Sequence, residues 1–123
     1  MNNHLHHVHE FDANHVHYTF EPTNKRIRVM FAETTVADSR QAMVMNEEGH
    51  QPVYYFPKED LNAEHLSATT HSSRWPHKGQ ASYWSLRVGD EIADNVAWSY
   101  EHPPEEVKSL AGLIAFYANR VSF

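Results

Sequence analysis

The chain has 123 residues, no cysteine and a formal net charge of −6 with histidine neutral. That length suits one compact domain able to bury its own core, and the absence of thiols excludes disulfides, thiolate zinc sites and cysteine nucleophiles. The negative balance disfavours non-specific DNA or RNA binding, which rests on Lys and Arg neutralising phosphates, so the local cluster Lys25, Arg26 and Arg28 reads as a solvated strand face.

Residues 1–13, MNNHLHHVHEFDA, read as a flexible His-rich arm, and 14–123 as a single β domain. From His15 the pattern has period two. Val16, Tyr18 and Phe20 face one way and His15, His17 and Thr19 the other, as in a half-buried strand. EPTN makes a turn. KRIRVMF is a second strand, in which Ile27, Val29 and Phe31 alternate with Arg26, Arg28 and Met30. TTVADS, QAMVM and PVYYFP read as further short strands, the last with prolines suited to strand ends or an edge. KEDLNAEHL has helical spacing over a short stretch, and TTHSSR reads as a polar loop.

ASYWSLRV is a strand with Trp84, Leu86 and Val88 on one face and Tyr83 on the other, and NVAWSY follows it. PPEEVKSLAG predicts one short helix near 104–111: proline in the first turn, two glutamates at the positive end and Gly112 as its stop. LIAFYANRVSF closes the domain as a strand. Short strands with one late helix argue a mostly antiparallel β domain. No apolar run approaches the roughly 20 residues of a membrane helix. Nothing resembles a signal peptide, so a cytoplasmic location and no membrane partner are expected.

The chemistry-bearing residues are few. Histidines crowd the first 17 residues, and His15 and His17, two apart on a strand, present both rings on one face as weak metal-ligand candidates. The simpler reading is a His-rich arm with no physiological metal, and no cofactor is implied. Asp38, Asp60 and Asp90 lie beside turns without a paired carboxylate or a phosphate-binding glycine loop. His71, near a lysine, is a candidate acid–base.

The sharpest feature is WPHKGQASYW, which frames Lys78 with a glycine and aromatic residues. A lysine acts as a point charge for an anion, or as a base or nucleophile when desolvated. Gly79 lets the backbone turn and approach a ligand. Tyr83 and Trp84, and from other strands Tyr54, Tyr55, Trp98 and Tyr100, supply candidate apolar walls. The plainer reading makes these aromatics core and Lys78 a turn residue.

RVMFAETTVADSRQAMVMNE, PVYYFPKEDL, WPHKGQASYWSL and VAWSYEHPPEEVKSLAGLIAFY resemble, in order and spacing, the small bacterial family called domain of unknown function 427, which also carries a nucleotidyltransferase-like label. The resemblance covers about residue 16 to the end. It implies two antiparallel sheets packed as a β-tent, similar to methionine-R-sulfoxide reductases and to the ligand-binding domain of cereblon, and it implies no established activity. The family pattern falls on Asp38 and Ser39, on Tyr54, Tyr55, Phe56, Pro57 and Asp60, and on Thr70, Pro76, Lys78, Gly79 and Tyr83. Further on it falls on Ala97, Trp98, Tyr100, Ala115, Phe116 and Tyr117. Family members often carry Cys before the proline of the Lys-Gly turn, where this chain has Trp75, so thiol chemistry fails here.

Two functional readings follow. In the first, an unknown small molecule binds near the Lys-Gly turn, as substrate or ligand, with Lys78 and Asp38 as polar anchors and Gly79, Tyr54, Tyr83, Trp98 and Tyr100 around it. In the second, the aromatic face binds a protein partner or its own copy as a homodimer. A literal nucleotidyltransferase is a third, weaker reading.

Overall fold

The structure, a computed structural model, describes residues 9–13 and 16–123, with side chains from Tyr18 onward. Ten strands run β1 (His9–Ala13), β2 (Val16–Pro22), β3 (Ile27–Phe31), β4 (Thr34–Ser39), β5 (Met43–Glu47), β6 (Val53–Phe56), β7 (Leu66–Trp75), β8 (Gly79–Val88), β9 (Glu91–Tyr100) and β10 (Ile114–Phe116). All strand pairings are antiparallel. Eight strands form one sheet in the order β1-β2-β5-β6-β10-β9-β8-β7, and β3 and β4 form a separate hairpin. Among the described residues the large sheet is open, with β1 and β7 at its edges.

Period-two alternation gives this sheet a core on each face. In β6, Phe56 packs with Val29, Val36, Leu86, Ile114 and Phe116 beneath the β3–β4 hairpin, while neighbouring Tyr55 packs with Tyr18, Phe20, Met45, Tyr83 and Tyr100 on the other side. In β10, Ile114 and Phe116 join the first cluster and Ala115 the second. The hairpin is anchored from outside. Met30 exchanges backbone hydrogen bonds with Ser122 at 2.7 and 2.9 Å, and Asn62 N–H donates to Val36 O at 2.9 Å. Its turn holds Ala32 at φ 49° and Glu33 at φ 63°, the left-handed pair that a two-residue hairpin loop requires.

Four sequence expectations change. Of the segment read as a flexible arm, residues 1–8 lie outside the described residues, but His9–Ala13 form β1, paired along β2 with Ala13 opposite Val16. TTHSSR is not a loop; it is part of β7, a ten-residue edge strand. Edge position explains the misreading, because most of β7 is exposed and so has no apolar period. KEDLNAEHL forms two single 3-10 turns, Lys58–Asp60 and Ala63–His65. The expected C-terminal helix is likewise a 3-10 segment, Glu105–Leu110, broken at Val107 (φ −124°, ψ 29°). Val107 and Leu110 are its buried residues, so packing against the second cluster sets its shape. No helix among the described residues is long and apolar enough to cross a membrane.

Candidate functional site

The turn between β7 and β8 closes with Lys78 N–H donating to Trp75 O at 3.3 Å, and Trp75 pairs with Gly79. Gly79 sits at φ +89°, in the region that side-chain-bearing residues disfavour. A Cβ there would meet His102 O and Pro104 Cδ at an ordinary 3.5 Å, so the backbone angle, not crowding, demands glycine. Gly79→Ala is expected to lower stability by about 1 kcal/mol or more. Denaturant unfolding with an unchanged slope would measure this, and an unchanged midpoint would refute it.

The same turn aims Lys78 across the sheet. Between β8 and β2 lie five strand spacings, which in a flat sheet would separate them by roughly 24 Å. Yet Lys78 Nζ lies 5.2 Å from the centroid of the Tyr18 ring of β2, a cation–π contact. The large sheet therefore curls strongly, and its second core lines the inside of the curl.

That inside holds a cavity of about 490 Å³. Lys78, Tyr83, Trp98 and Tyr100 line one side; Met45, Glu47, Val53 and Tyr55 line the other. His50 and Gln51, from the β5–β6 connection, complete it with Trp75 and Tyr117. Trp75 and Tyr117 are 50% and 40% exposed, as befits a rim. The walls brace one another. Tyr55 and Trp98 meet edge to face with centroids 6.3 Å apart, and Trp98 and Tyr117 lie 4.6 Å apart, both within the roughly 4.5–7 Å usual for aromatic pairs. The Tyr83 hydroxyl is 2.8 Å from Ser73 Oγ, which also accepts the Trp75 indole N–H at 2.9 Å.

Burial sets the electrostatics. It lowers the pKa of Lys78, and the Glu47 carboxylate partly restores the charged form. Burial also pushes Tyr55 up to about 12 against an opposing contribution from Trp98. Tyr117 rises to about 12 through desolvation and its hydrogen bond with Tyr83. Tyr100 and Tyr18 are raised, again chiefly by burial. These four tyrosines therefore enter as neutral hydroxyls. Glu47 is itself paired with His50 at 3.1 Å.

The family model described as Domain of unknown function (DUF427) matches residues 19–123. The chain belongs to the DUF427 family. A search of curated proteins returns no match.

In this DUF427 domain the residues singled out from sequence divide between two faces. Lys78, Tyr83, Trp98 and Tyr100 line the cavity. Tyr54 and Trp84 do not: both pack on the first cluster, with the Tyr54 ring 5.6 Å from that of Phe123. Gly79 shapes the turn behind Lys78. His71 is exposed on β7, its ring 4.5 Å from Tyr83, and is not among the lining residues. His15 lies outside the described residues, as does the side chain of His17.

Asp38 is not beside Lys78. It pairs across the β3–β4 hairpin with Arg26, whose Nε and Nη2 donate to its two oxygens at 2.9 and 2.7 Å. Those hydrogen bonds hold its carboxyl below the usual range. The neighbouring Ser39 is buried and donates to Asp60 Oδ2 at 2.6 Å while accepting Gln41 N–H at 3.0 Å. This is a structural clasp holding the hairpin to the segment after β6. Asp38→Asn is accordingly expected to leave binding in the Lys78 cavity unchanged, as titration of a cavity ligand would show; a loss of affinity would put Asp38 back in the site.

Met45, Glu47, Val53, His50 and Gln51 were not singled out from sequence. Glu47 sits in NEEGH, which reads as turn composition. Its one available signal is parity, because Met45 and Glu47 share a face of β5 with Met43.

Proposed function

We propose that this domain binds a small molecule in the Lys78 cavity, and that the curled sheet around it is a β-tent. The observation that carries the reading is a lysine ammonium directed into an aromatic-walled concavity, with Glu47 as the only carboxylate lining it among the described residues. The volume lies within the ~300–1,000 Å³ usual for ligand pockets, and many apolar walls with few polar groups is their usual make-up. The aromatic residues surround a concavity rather than forming a flat patch, which favours a ligand over a protein partner or a second copy. Nucleotidyl transfer would call for gathered carboxylates and a phosphate cradle; among the described residues the cavity supplies one ammonium and one carboxylate.

The three tryptophans provide the test. Trp75 and Trp98 line the cavity, whereas Trp84 packs on the opposite face and donates its indole N–H to Ser99 Oγ at 3.1 Å. In an NMR fragment screen, ligands are expected to shift the Trp98 and Trp75 indole signals and leave Trp84 in place. Hits that move Trp84 alone, or a broad library that moves none of the three, would refute the proposal.

A further inference from the structure

The cavity's charge inventory goes further than the existence of a site. Lys78 has been taken largely out of water, and among the described residues no carboxylate forms an ion pair with it; Glu47 acts on it only at longer range and is held by His50. Burying an ammonium without a close counter-ion is unfavourable. A ligand that brings a negative group to Nζ removes that penalty, so the cavity favours an anion over a neutral or cationic molecule. Glu47 limits how much negative charge is welcome. It lines the same space, and among the described residues no arginine does, so a dianion such as a phosphate monoester would meet Lys78 and an opposing carboxylate. The walls then specify the rest of the ligand. Tyr55, Tyr83 and Trp98 are braced by one another or by Ser73 and offer flat faces and edges suited to a ring.

We propose that the ligand class is an aromatic monocarboxylate of one or two rings, its carboxylate on Lys78 Nζ and its ring among Tyr55, Tyr83 and Trp98. This rests on the reading of the cavity as a binding site and names what that site selects.

The experiment compares naphthoate with its neutral isostere naphthamide, and both with naphthyl phosphate, in the full chain near neutral pH, by calorimetry and by the Trp98 indole signal. Naphthoate is expected to shift Trp98 and to bind at least about tenfold more tightly than naphthamide. Naphthyl phosphate, largely dianionic, is expected to bind more weakly than naphthoate. In Lys78→Met the acid and the amide should bind alike, with Trp98 still responding; Lys78→Arg, which keeps the charge, should retain the preference for the acid. Naphthamide binding as tightly as naphthoate at Trp98 would overturn the anion inference and leave the cavity as a site. Phosphate binding more tightly than carboxylate would overturn the monoanion limit. Failure of all three probes to move Trp98 would overturn the ligand class, and the fragment screen would then decide separately whether the cavity binds anything.

Discussion

Phe56→Ala is expected to cost about 3–5 kcal/mol, the range for truncating a fully buried phenylalanine. Phe56 is 0% exposed and its ring meets Phe116 at 6.0 Å, at the centre of the core beneath the β3–β4 hairpin. Small domains have roughly 5–15 kcal/mol in total, so the variant should be marginal, with a melting temperature lower by about 10 °C or more. The neighbouring residue makes the contrast. Tyr55→Phe keeps the ring that fills the second cluster and removes only a hydroxyl, so its cost should stay near the ~1 kcal/mol of a single hydrogen bond. Thermal unfolding of the pair would separate two faces of one strand. A Phe56→Ala protein melting within a few degrees of the parent would mean that the hairpin does not seal a core there.

The same pair shows where sequence reasoning stops. Strands with one polar face were legible: β2, β3 and β8 alternate cleanly, and the faces assigned to Trp84, Leu86 and Tyr83 match their two clusters. PVYYFP has no polar residue to mark a face. Whether Tyr54 or Tyr55 turns toward Lys78 depends on register, in which Tyr55 pairs with Met43 and with Ala115. A slip of one residue would exchange them. β7 failed for the opposite reason, having too little burial to leave a pattern. The 3-10 segment Glu105–Leu110 carries helix-like composition, but the break at Val107 within six residues leaves no room for a regular α-helical ladder.

Within the candidate site, Lys78 was legible because a lysine before a turn glycine beside aromatic residues is locally unusual. Glu47 was not, because it reaches Lys78 only through the curl of the sheet. Asp38 was placed beside Lys78 without a local reason; its partner is Arg26, set by the cross-strand register of the hairpin, in which Arg28 is opposite Asp38 and Arg26 lies two residues before it.

Lys78→Met is expected to weaken binding of an aromatic carboxylate by more than about tenfold, roughly 1.4 kcal/mol, without lowering stability. The two halves of this prediction come from the same burial. Burial lowers the pKa of Lys78 in the folded chain, so its charged form is disfavoured there relative to the unfolded chain. A lysine shifted this way opposes folding below its folded pKa, and the penalty fades as pH rises toward the unfolded value. Methionine keeps most of the apolar stem and has no charge to desolvate, so the melting temperature near neutral pH should be equal or higher. Binding has the opposite dependence. The carboxylate needs the ammonium, so affinity in the parent should fall as pH rises through the lowered Lys78 pKa, earlier than an ordinary lysine would lose its proton. Among the described residues, the other titratable groups around Lys78 are Glu47, His50, Tyr18, Tyr55, Tyr83, Tyr100 and Tyr117. Tyr18, Tyr55, Tyr100 and Tyr117 are raised and stay neutral through that range. The decisive control is the variant itself: Lys78→Met should show weak binding with no alkaline decline. An alkaline decline that persists in Lys78→Met would assign it to another group, and a Met variant that binds as tightly as the parent would return Lys78 to the role of a turn lysine over a packed aromatic core.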